Sequence, residues 1–299
     1  MKNPFNHDTL ATLAYTSGWR FVRLLPEGVA AALFDKAADL WSKNGTALPQ
    51  LRKNLDRVVA HADDALVKKA ARSYARYWME AFRLPDMVGD ETLLRELEAS
   101  ATGLRYVKES YDKGKGVVLV LTHSGNWDMA GLWLASRFGS FTTVAERLKP
   151  EAVYQAFVDY RESLGFEVLP LTGGEPPFEI LKQRLQEGKI VCLLGERDLK
   201  RNGVPVRFFN EDTTFPAGPA QLAIETGAAL HVVHCGFRPK SRGIRPGRGW
   251  NFIVQPPIEV TTLEETVAAI AHGFEQTISL FPQDWHMLAR LWPADRKKK

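Results

Sequence analysis

Apolar residues in the first third of the chain recur every three or four positions, which is the spacing of an amphipathic helix. The pattern runs from Leu10 to Trp41 and again from Leu51 to Phe82. Pro26 and Pro49 should interrupt these helices and Leu84-Pro85 should end them, because proline lacks the backbone N–H that a helix interior needs. The sequence therefore predicts a set of N-terminal amphipathic helices.

After about residue 115 the pattern changes to short β-branched runs that alternate with helical stretches such as 153–164, 178–186 and 263–281. This alternation implies right-handed crossovers and a mainly parallel sheet. We predict an α/β protein, a three-layer α/β/α sandwich, as one domain over 1–299 in which the helices of 1–90 pack on a core of 115–290. The predicted strands are 116–121, 141–145, 167–171, 190–194, 230–235 and 251–255.

Composition and charge narrow the class of protein only modestly. The 299 residues are 45% hydrophobic and 25% charged, which is ordinary for a globular domain. A formal net charge of +4 is compatible with an anionic lipid surface, nucleic acid or a phosphorylated ligand. No uncharged run approaches the ~20 residues of a membrane-spanning helix. Asp8, close to the N-terminus, argues against a secretory signal, and Cys192 and Cys235 in apolar runs are interpreted as free thiols.

Three predicted strands end in titratable side chains. His123 follows the strand at 116–121, Glu146 follows 141–145, and Glu196 follows 190–194. Ligands of parallel sheets bind outside the carboxyl ends of the strands, so these side chains lie along one edge if the strands are neighbours. A histidine that faces a carboxylate can act as a general base, because the carboxylate fixes its tautomer and stabilises the imidazolium.

Asp128 can approach His123 only through a specific local geometry, since five residues place two side chains about 140° apart on a continuous helix. His123 would have to lie in a turn, which Gly125 permits, and Asp128 in the first turn of a helix running to about residue 137. Ser124 or Asn126 could cap that helix. Ordinary alternatives remain: a loop histidine, a helix-dipole partner for Asp128, and a surface ion pair of Glu196 with the neighbouring arginine.

The sequence offers little support for a covalent or metal-dependent reaction. Ser124 is a poor nucleophile candidate because the chain has no G-x-S-x-G motif, and Cys192 lies inside an apolar strand. The seven histidines are scattered, and His231 and His234 fall on opposite faces of a strand, so we predict no metal site and no cofactor.

Seven segments, in order along most of the chain, together resemble one family. They are ARSYARYWMEAFRLP (71–85), LTHSGNWDMAG (121–131), VAERLKPE (144–151), YRESLGFEVLPLTGG (160–174), LLGERDL (193–199), FPAGPAQLAIETGA (215–228) and PQDWHML (282–288). The spacing His123-x-x-x-x-Asp128 after a strand resembles the signature of glycerolipid and lysophospholipid acyltransferases. The full set resembles the branch of lipid A late acyltransferases and, more closely, the phosphatidylinositol mannoside acyltransferases of actinobacteria.

The resemblance implies transfer of a palmitoyl-like chain from acyl-CoA, as co-substrate, to the 6-hydroxyl of a mannose on phosphatidylinositol mannoside. His123 would be the general base and Glu196 its partner, with direct attack and no acyl-enzyme. The resemblance adds Asp128 to this catalytic set, at a position that helps to hold the sugar and tie the site together. It also implies substrate-binding positions at Glu146 and Arg161, and we predict the same role for Arg197 and Asp198, which directly follow Glu196. We expect a monomeric, peripheral enzyme at the cytoplasmic face of the cell membrane, with no nucleic-acid partner.

Three segments suit contact with lipid, and two of them have an ordinary alternative. The aromatic stretch 73–82 is either a packed core helix or a wall of the acyl trench. The segment 237–250 is either a solvated loop or a patch for anionic headgroups or CoA phosphates. Apolar residues near 19–25 could place an N-terminal helix in the membrane interface. The basic residues of 237–250 are Arg238, Lys240, Arg242, Arg245 and Arg248.

Two other functions remain open at this stage. One is a late acyltransferase of the lipid A type that uses acyl-ACP as donor. The other is a lipid-binding protein of the same fold with no catalytic activity.

Overall fold

The computed structural model describes residues 21–147, 150–238 and 249–296. Within these ranges a seven-stranded sheet forms the centre of the protein, and a separate two-stranded hairpin is present. The strands are β1 (Ala101–Thr102), β2 (Val117–Leu121), β3 (Phe141–Ala145), β4 (Phe166–Pro170), β5 (Ile190–Leu194), β6 (Val204–Phe208), β7 (Glu211–Phe215), β8 (Ala229–Phe237) and β9 (Trp250–Val254).

The strands of the large sheet follow the order β1-β9-β8-β2-β5-β3-β4. Every neighbouring pair is parallel except β8 with β9. The predicted mainly parallel sheet is confirmed, and all six predicted strands are present with small shifts at their ends. Strand β5 lies between β2 and β3, so the carboxyl ends of these three strands are adjacent.

Helices cover both faces of the sheet. They are α1 (Glu27–Trp41), α2 (Pro49–Val58), α3 (Asp64–Arg83), α4 (Glu91–Ser100), α5 (Leu104–Tyr111), α6 (Trp127–Phe138), α7 (Glu151–Ser163), α8 (Pro177–Gln186), α9 (Gly218–Thr226) and α10 (Leu263–Leu280). Leu119 and Leu121 of β2 join one buried cluster with α4, α5, α6 and α7, whereas Val118 and Val120 join another with α8, α9 and α10. The alternation of β2 side chains between two helical layers confirms the three-layer sandwich.

The predicted helical stretch from Leu51 to Phe82 is two helices, α2 and α3, with a break at residues 59–63. Two carboxylates stabilise the break by accepting backbone N–H groups. Asp56 accepts from Ala62 N at 2.8 Å, and Asp63 caps α3 by accepting from Leu66 N at 2.8 Å. An N-terminal cap of this kind begins a new helix. The three- and four-residue spacing of apolar side chains therefore belongs to two helices and not to one.

The hairpin of β6 and β7 and the end of the chain differ from the sequence-based expectations. The hairpin was not predicted, and its turn places Phe209 and Asn210 at positive φ. The charged residues at 295–299 predict a solvated tail, but the Asp295 side chain is only 6% exposed and accepts from Arg57 and Gln50 at 2.9 Å each. That prediction is wrong for Asp295, because the Arg57 guanidinium supplies the charge partner that makes burial of a carboxylate tolerable.

No helix in the described ranges combines the length and the apolar character required to cross a bilayer.

Candidate active site

A tight turn after β2 presents the His123 side chain at the carboxyl edge of the sheet. Three backbone hydrogen bonds of 2.8 Å hold the turn: Ser124 N to Thr122 O, Gly125 N to Asp284 O, and His286 N to His123 O. Gly125 has φ +54°, a left-handed conformation that glycine adopts without steric cost. The predicted turn is therefore present, and a distant segment at 284–286 holds it from outside.

Helix α6 begins directly after this turn, with Asn126 as its N-cap. The Asn126 side-chain oxygen accepts from Met129 N at 2.9 Å, and its amide donates to the buried Glu80 carboxylate at 2.8 Å. The helix ends at Phe138, close to the predicted end. The cap thus fixes the start of α6 relative to α3, which carries Glu80.

His123 and Glu196 form a close pair between the ends of β2 and β5. One oxygen of Glu196, Oε1, accepts from the His123 backbone N–H at 2.6 Å and lies 2.8 Å from Nδ1 of the same residue. Glu196 is fully buried, whereas the His123 side chain is 21% exposed. Burial alone would raise the pKa of Glu196, but its interactions with His123 outweigh burial and hold that pKa below its usual value.

This pairing determines what the His123 ring can do. An ionised Glu196 is only an acceptor, so Nδ1 must carry the hydrogen and donate it to Oε1. Nε2 is then left with a free lone pair, and the ring lines an open cleft. The geometry is that of a general base whose conjugate acid is stabilised by a buried carboxylate.

Asp128 lies in the first turn of α6, as predicted, but it contacts residues other than His123. Its carboxylate accepts from Tyr77 OH at 2.9 Å and from Arg161 Nε at 2.9 Å. Burial alone would lower the pKa of the Arg161 guanidinium, but the Asp128 charge outweighs burial and raises it. Burial and the same carboxylate raise the pKa of Tyr77 well above its usual value, so its hydroxyl remains a donor.

The structure separates the other candidate residues into two groups. Glu146 and Arg197 line the cleft, and their charged groups are 4.0 Å apart. Asp198 instead accepts from Gly203 N at 2.8 Å and from Thr214 Oγ1 at 2.7 Å. The Asp198 carboxylate is thus directed to the hairpin of β6 and β7, where it ties the loop after Glu196 in place.

The cleft in front of His123 has a volume of about 510 Å³. Sequence reasoning identified four of its lining residues, namely His123, Glu146, Arg161 and Arg197. It missed the ring of aromatic side chains and the segment 286–289, although the aromatic stretch 73–82 was a signal for part of that ring. Helix α3 packs into the core, as one of the two alternatives predicted, and three of its aromatic side chains also line the cleft. The aromatic lining is Tyr74, Tyr77, Trp78, Trp127, Tyr154 and Phe157.

A smaller, almost entirely apolar cavity of about 90 Å³ lies between α6 and the sheet. It shares Trp127, Val144, Arg161 and Leu194 with the cleft, so the two spaces are neighbours at the Asp128–Arg161 pair. The arrangement offers an open space next to His123, lined by aromatic and charged side chains, and a smaller apolar space beside it.

Two further expectations concern the basic segment 237–250 and metal binding. In the segment 237–250, Arg238 is exposed, while Lys240, Arg242, Arg245 and Arg248 lie outside the described residues. Within the ranges that are described, no three His, Cys, Asp or Glu side chains are grouped closely enough to hold a metal ion.

Known proteins resemble this chain over nearly its whole length. The family model of bacterial lipid A biosynthesis acyltransferases matches residues 3–294. The phosphatidylinositol mannoside acyltransferase of Mycobacterium tuberculosis is 50% identical over 294 residues, which are 96% of this chain and 90% of that protein. The phosphatidylinositol mannoside acyltransferase of Mycolicibacterium smegmatis is 51% identical over 290 residues, which are 95% and 91% of the two chains.

We predict that Gly125→Ala is much more destabilising than Gly227→Ala. Both glycines have positive φ, so alanine costs about 1 kcal/mol of backbone strain at either position. A Cβ at Gly125 would also lie 2.3 Å from the Cys235 carbonyl oxygen, whereas no atom of the described residues lies within 4 Å at Gly227. Urea unfolding should give an additional loss of about 2 kcal/mol or more for Gly125→Ala. Equal losses in the two variants would contradict the close packing of this turn.

Proposed function

The chain belongs to the bacterial lipid A biosynthesis acyltransferase family, and on that premise we propose that it moves a fatty acyl group from acyl-CoA to the 6-hydroxyl of a mannose on phosphatidylinositol mannoside. Family membership and the curated relatives make it an acyltransferase of glycolipid synthesis. The donor, the acceptor and its hydroxyl, the roles of individual residues and the membrane contact are what we propose.

The His123–Glu196 pair is the observation that carries the proposal. In the reaction, Nε2 of His123 takes the proton of the mannose hydroxyl as its oxygen attacks the thioester carbonyl. The tetrahedral intermediate then collapses, the C–S bond breaks, and the imidazolium returns the proton to the departing CoA sulfur. No acyl-enzyme forms, and the chain ends the cycle in its starting protonation state.

Glu196 has two effects on this proton transfer. Its hydrogen bond from Nδ1 keeps the tautomer in which Nε2 is the free base, and its negative charge stabilises the imidazolium. Because Glu196 is buried away from water, this charge is screened less than a surface carboxylate would be.

Glu146 and Arg197 are the polar partners that we propose for the acceptor sugar at the cleft. Glu146 is exposed and can accept hydrogen bonds from sugar hydroxyls, while Arg197 beside it can donate to the sugar or to a phosphate. Asp128 is already engaged by Tyr77 and Arg161, so we assign it a positioning role in which it holds Arg161 at the cleft wall. Asp198 acts further away, by holding the loop that carries Glu196 and Arg197.

The apolar cavity between α6 and the sheet suits the first few methylenes of the fatty acyl chain, since its volume of about 90 Å³ holds about three of them. It is lined by side chains such as Leu119, Leu134 and Phe252, and it shares Trp127 with the cleft. Burying the chain there gains about 0.8 kcal/mol for each methylene removed from water, while the thioester stays in the cleft near His123.

Contact with a membrane surface is proposed for helix α1. Its Val29, Leu33 and Leu40 are exposed and lie on one helical face, and Phe21 and Leu24 just before it are also exposed. Exposed apolar side chains in this number on one face are typical of an interaction surface, and for an enzyme of lipid substrates we expect that surface to be the bilayer. We propose a peripheral, monomeric enzyme at the cytoplasmic face of the membrane.

A donor and acceptor matrix tests the proposed activity. Purified protein is mixed with palmitoyl-CoA or palmitoyl-ACP, and with phosphatidylinositol mannoside or unmannosylated phosphatidylinositol. We expect free CoA thiol and an acylated lipid, seen by mass spectrometry, only with palmitoyl-CoA and the mannosylated acceptor. Transfer with acyl-ACP alone would contradict the donor assignment, and lipid binding without transfer from either donor would contradict the enzymatic function. Thiol release without acceptor would report hydrolysis by water.

Variants of the proposed base and its partner should lose activity while they remain folded, with some loss of stability because the His123–Glu196 side-chain bond is removed. His123→Ala should lower the rate by ~10² or more, since general-base catalysis is removed. Glu196→Gln should lower it by about tenfold or more, because a neutral amide no longer stabilises the imidazolium. His272→Ala is the matched control, since that side chain is 69% exposed on α10. A His123→Ala rate within a few-fold of the wild-type rate would contradict the general-base assignment.

A further inference from the structure

The segment 284–286 holds the turn that carries His123 through two backbone hydrogen bonds. The Asp284 carbonyl accepts from Gly125 N, and His286 N donates to the His123 carbonyl, each at 2.8 Å. One bond thus fixes the turn just after the proposed base, and the other fixes the base residue itself. The position of the His123 ring therefore depends on what holds the segment 284–286 in place.

The Asp284 side chain joins this segment to two other elements. Its Oδ1 accepts from the Ser73 hydroxyl of α3 at 2.7 Å, and its Oδ2 accepts from the backbone N–H of Phe237, at the end of β8, at 2.9 Å. Asp284 is only 2% exposed, and burial raises its pKa to about 6 in spite of these bonds. Both donors are neutral groups. A carboxylate buried among neutral donors is costly, which indicates that its charge has a role at this position.

The charge on Asp284 sets the direction of a hydrogen-bond chain that reaches the wall of the cleft. At neutral pH the carboxylate is mostly ionised and only accepts, so Ser73 donates its single hydrogen to Oδ1. The Ser73 oxygen also lies 2.9 Å from Nε2 of His286, which lines the cleft. Burial lowers the pKa of His286 to about 3, so its ring is neutral. Nε2 must then carry the hydrogen and donate it to Ser73, which leaves Nδ1 unprotonated.

The surroundings of Nδ1 agree with this direction. Among the described residues, the His286 Nδ1 atom is buried and has no hydrogen-bond partner. A buried N–H group without an acceptor is rarer and less tolerable than a lone pair without a donor. The chain therefore runs from His286 Nε2 to Ser73 and from Ser73 to the Asp284 carboxylate.

We propose that Asp284 and Ser73 are positioning residues for the general base. The inference rests on the proposed function, since it takes His123 to be that base. The carboxylate and the hydroxyl hold the segment 284–286 on α3 and β8, and that segment holds the turn in which His123 meets Glu196. Neither Asp284 nor Ser73 is among the described residues that line the cleft. Their loss should therefore lower kcat and leave KM nearly unchanged.

Asp284→Asn and Ser73→Ala test the inference. Asparagine keeps the shape and can still accept from Phe237 N, but it removes the charge, and its NH2 group reverses the bond to Ser73. Alanine removes the hydroxyl that joins α3 to Asp284 and His286. With acyl-CoA and phosphatidylinositol mannoside as substrates, we expect kcat to fall about tenfold or more in each variant, because small displacements of a catalytic group cost up to ~10² in rate.

Ser110→Ala is the matched control. Ser110 of α5 is also a buried hydroxyl that lies 2.9 Å from Nε2 of a buried histidine, His231. Neither residue of this second pair is among the described residues that line the cleft. Its substitution should lower the stability of the protein to a similar extent and leave kcat unchanged. An equal loss of kcat in Ser110→Ala and Ser73→Ala would overturn the inference.

NMR of the resting protein provides a measurement that a general loss of stability does not change. In folded Asp284→Asn and Ser73→Ala, the downfield proton that His123 Nδ1 donates to Glu196 should shift or broaden, whereas in Ser110→Ala it should not. In wild type, ¹⁵N shifts should show His286 protonated at Nε2. A wild-type His286 ring protonated at Nδ1 would overturn the inference, and this measurement requires no variant to fold.

The two levels of failure are distinguishable. An active wild type whose kcat is unchanged in both folded Asp284→Asn and folded Ser73→Ala would overturn the inference alone. A wild type that transfers no acyl group from either donor would overturn the proposed function and this inference with it.

Discussion

The double acceptance by Glu196 Oε1, from the backbone N–H and from Nδ1 of His123, is the interaction on which the site depends. It requires a carboxylate at the end of β5 and a turn at the end of β2, and these meet only because β2 and β5 are paired along their whole length. The backbone bond fixes the turn and the side-chain bond fixes the ring. A buried carboxylate without both partners would be costly, so the fold and the proposed base stabilise each other.

Distant parts of the chain converge on the same turn. The segment at 284–286 accepts from Gly125 and donates to His123, and Asn126 joins the start of α6 to Glu80 of α3. The Asp128–Arg161–Tyr77 cluster then links α6, α7 and α3 where the cleft and the apolar cavity are neighbours. A fatty thioester has one polar and one apolar end. An acyltransferase site therefore needs charged groups and apolar surface next to the same base. The structure provides them at the same edge of the sheet.

Most of the fold and the central pair could be predicted from local signals. Alternating apolar runs located the six main strands, and polar residues directly after them located His123, Glu146 and Glu196, because parallel strands share one carboxyl edge. The break at 59–63 and the buried Asp295 were missed, since each depends on a specific partner for a carboxylate rather than on a period. Arg161 was identified only through the family resemblance, and the role of Tyr77 and of the 284–286 segment depends on tertiary contacts that no sequence pattern encodes. Asp198 was expected at the substrate, but its partners are in a hairpin that the pattern did not reveal.

The proposed chemistry requires one tautomer of His123, and ¹⁵N NMR of the imidazole nitrogens in the resting protein measures it. We expect that, in the neutral ring, Nδ1 carries the hydrogen and shows a downfield proton from its bond to Glu196, while Nε2 has the shift of an unprotonated nitrogen. A neutral ring that is protonated at Nε2 and unprotonated at Nδ1 would contradict the assignment of His123 as the general base oriented by Glu196.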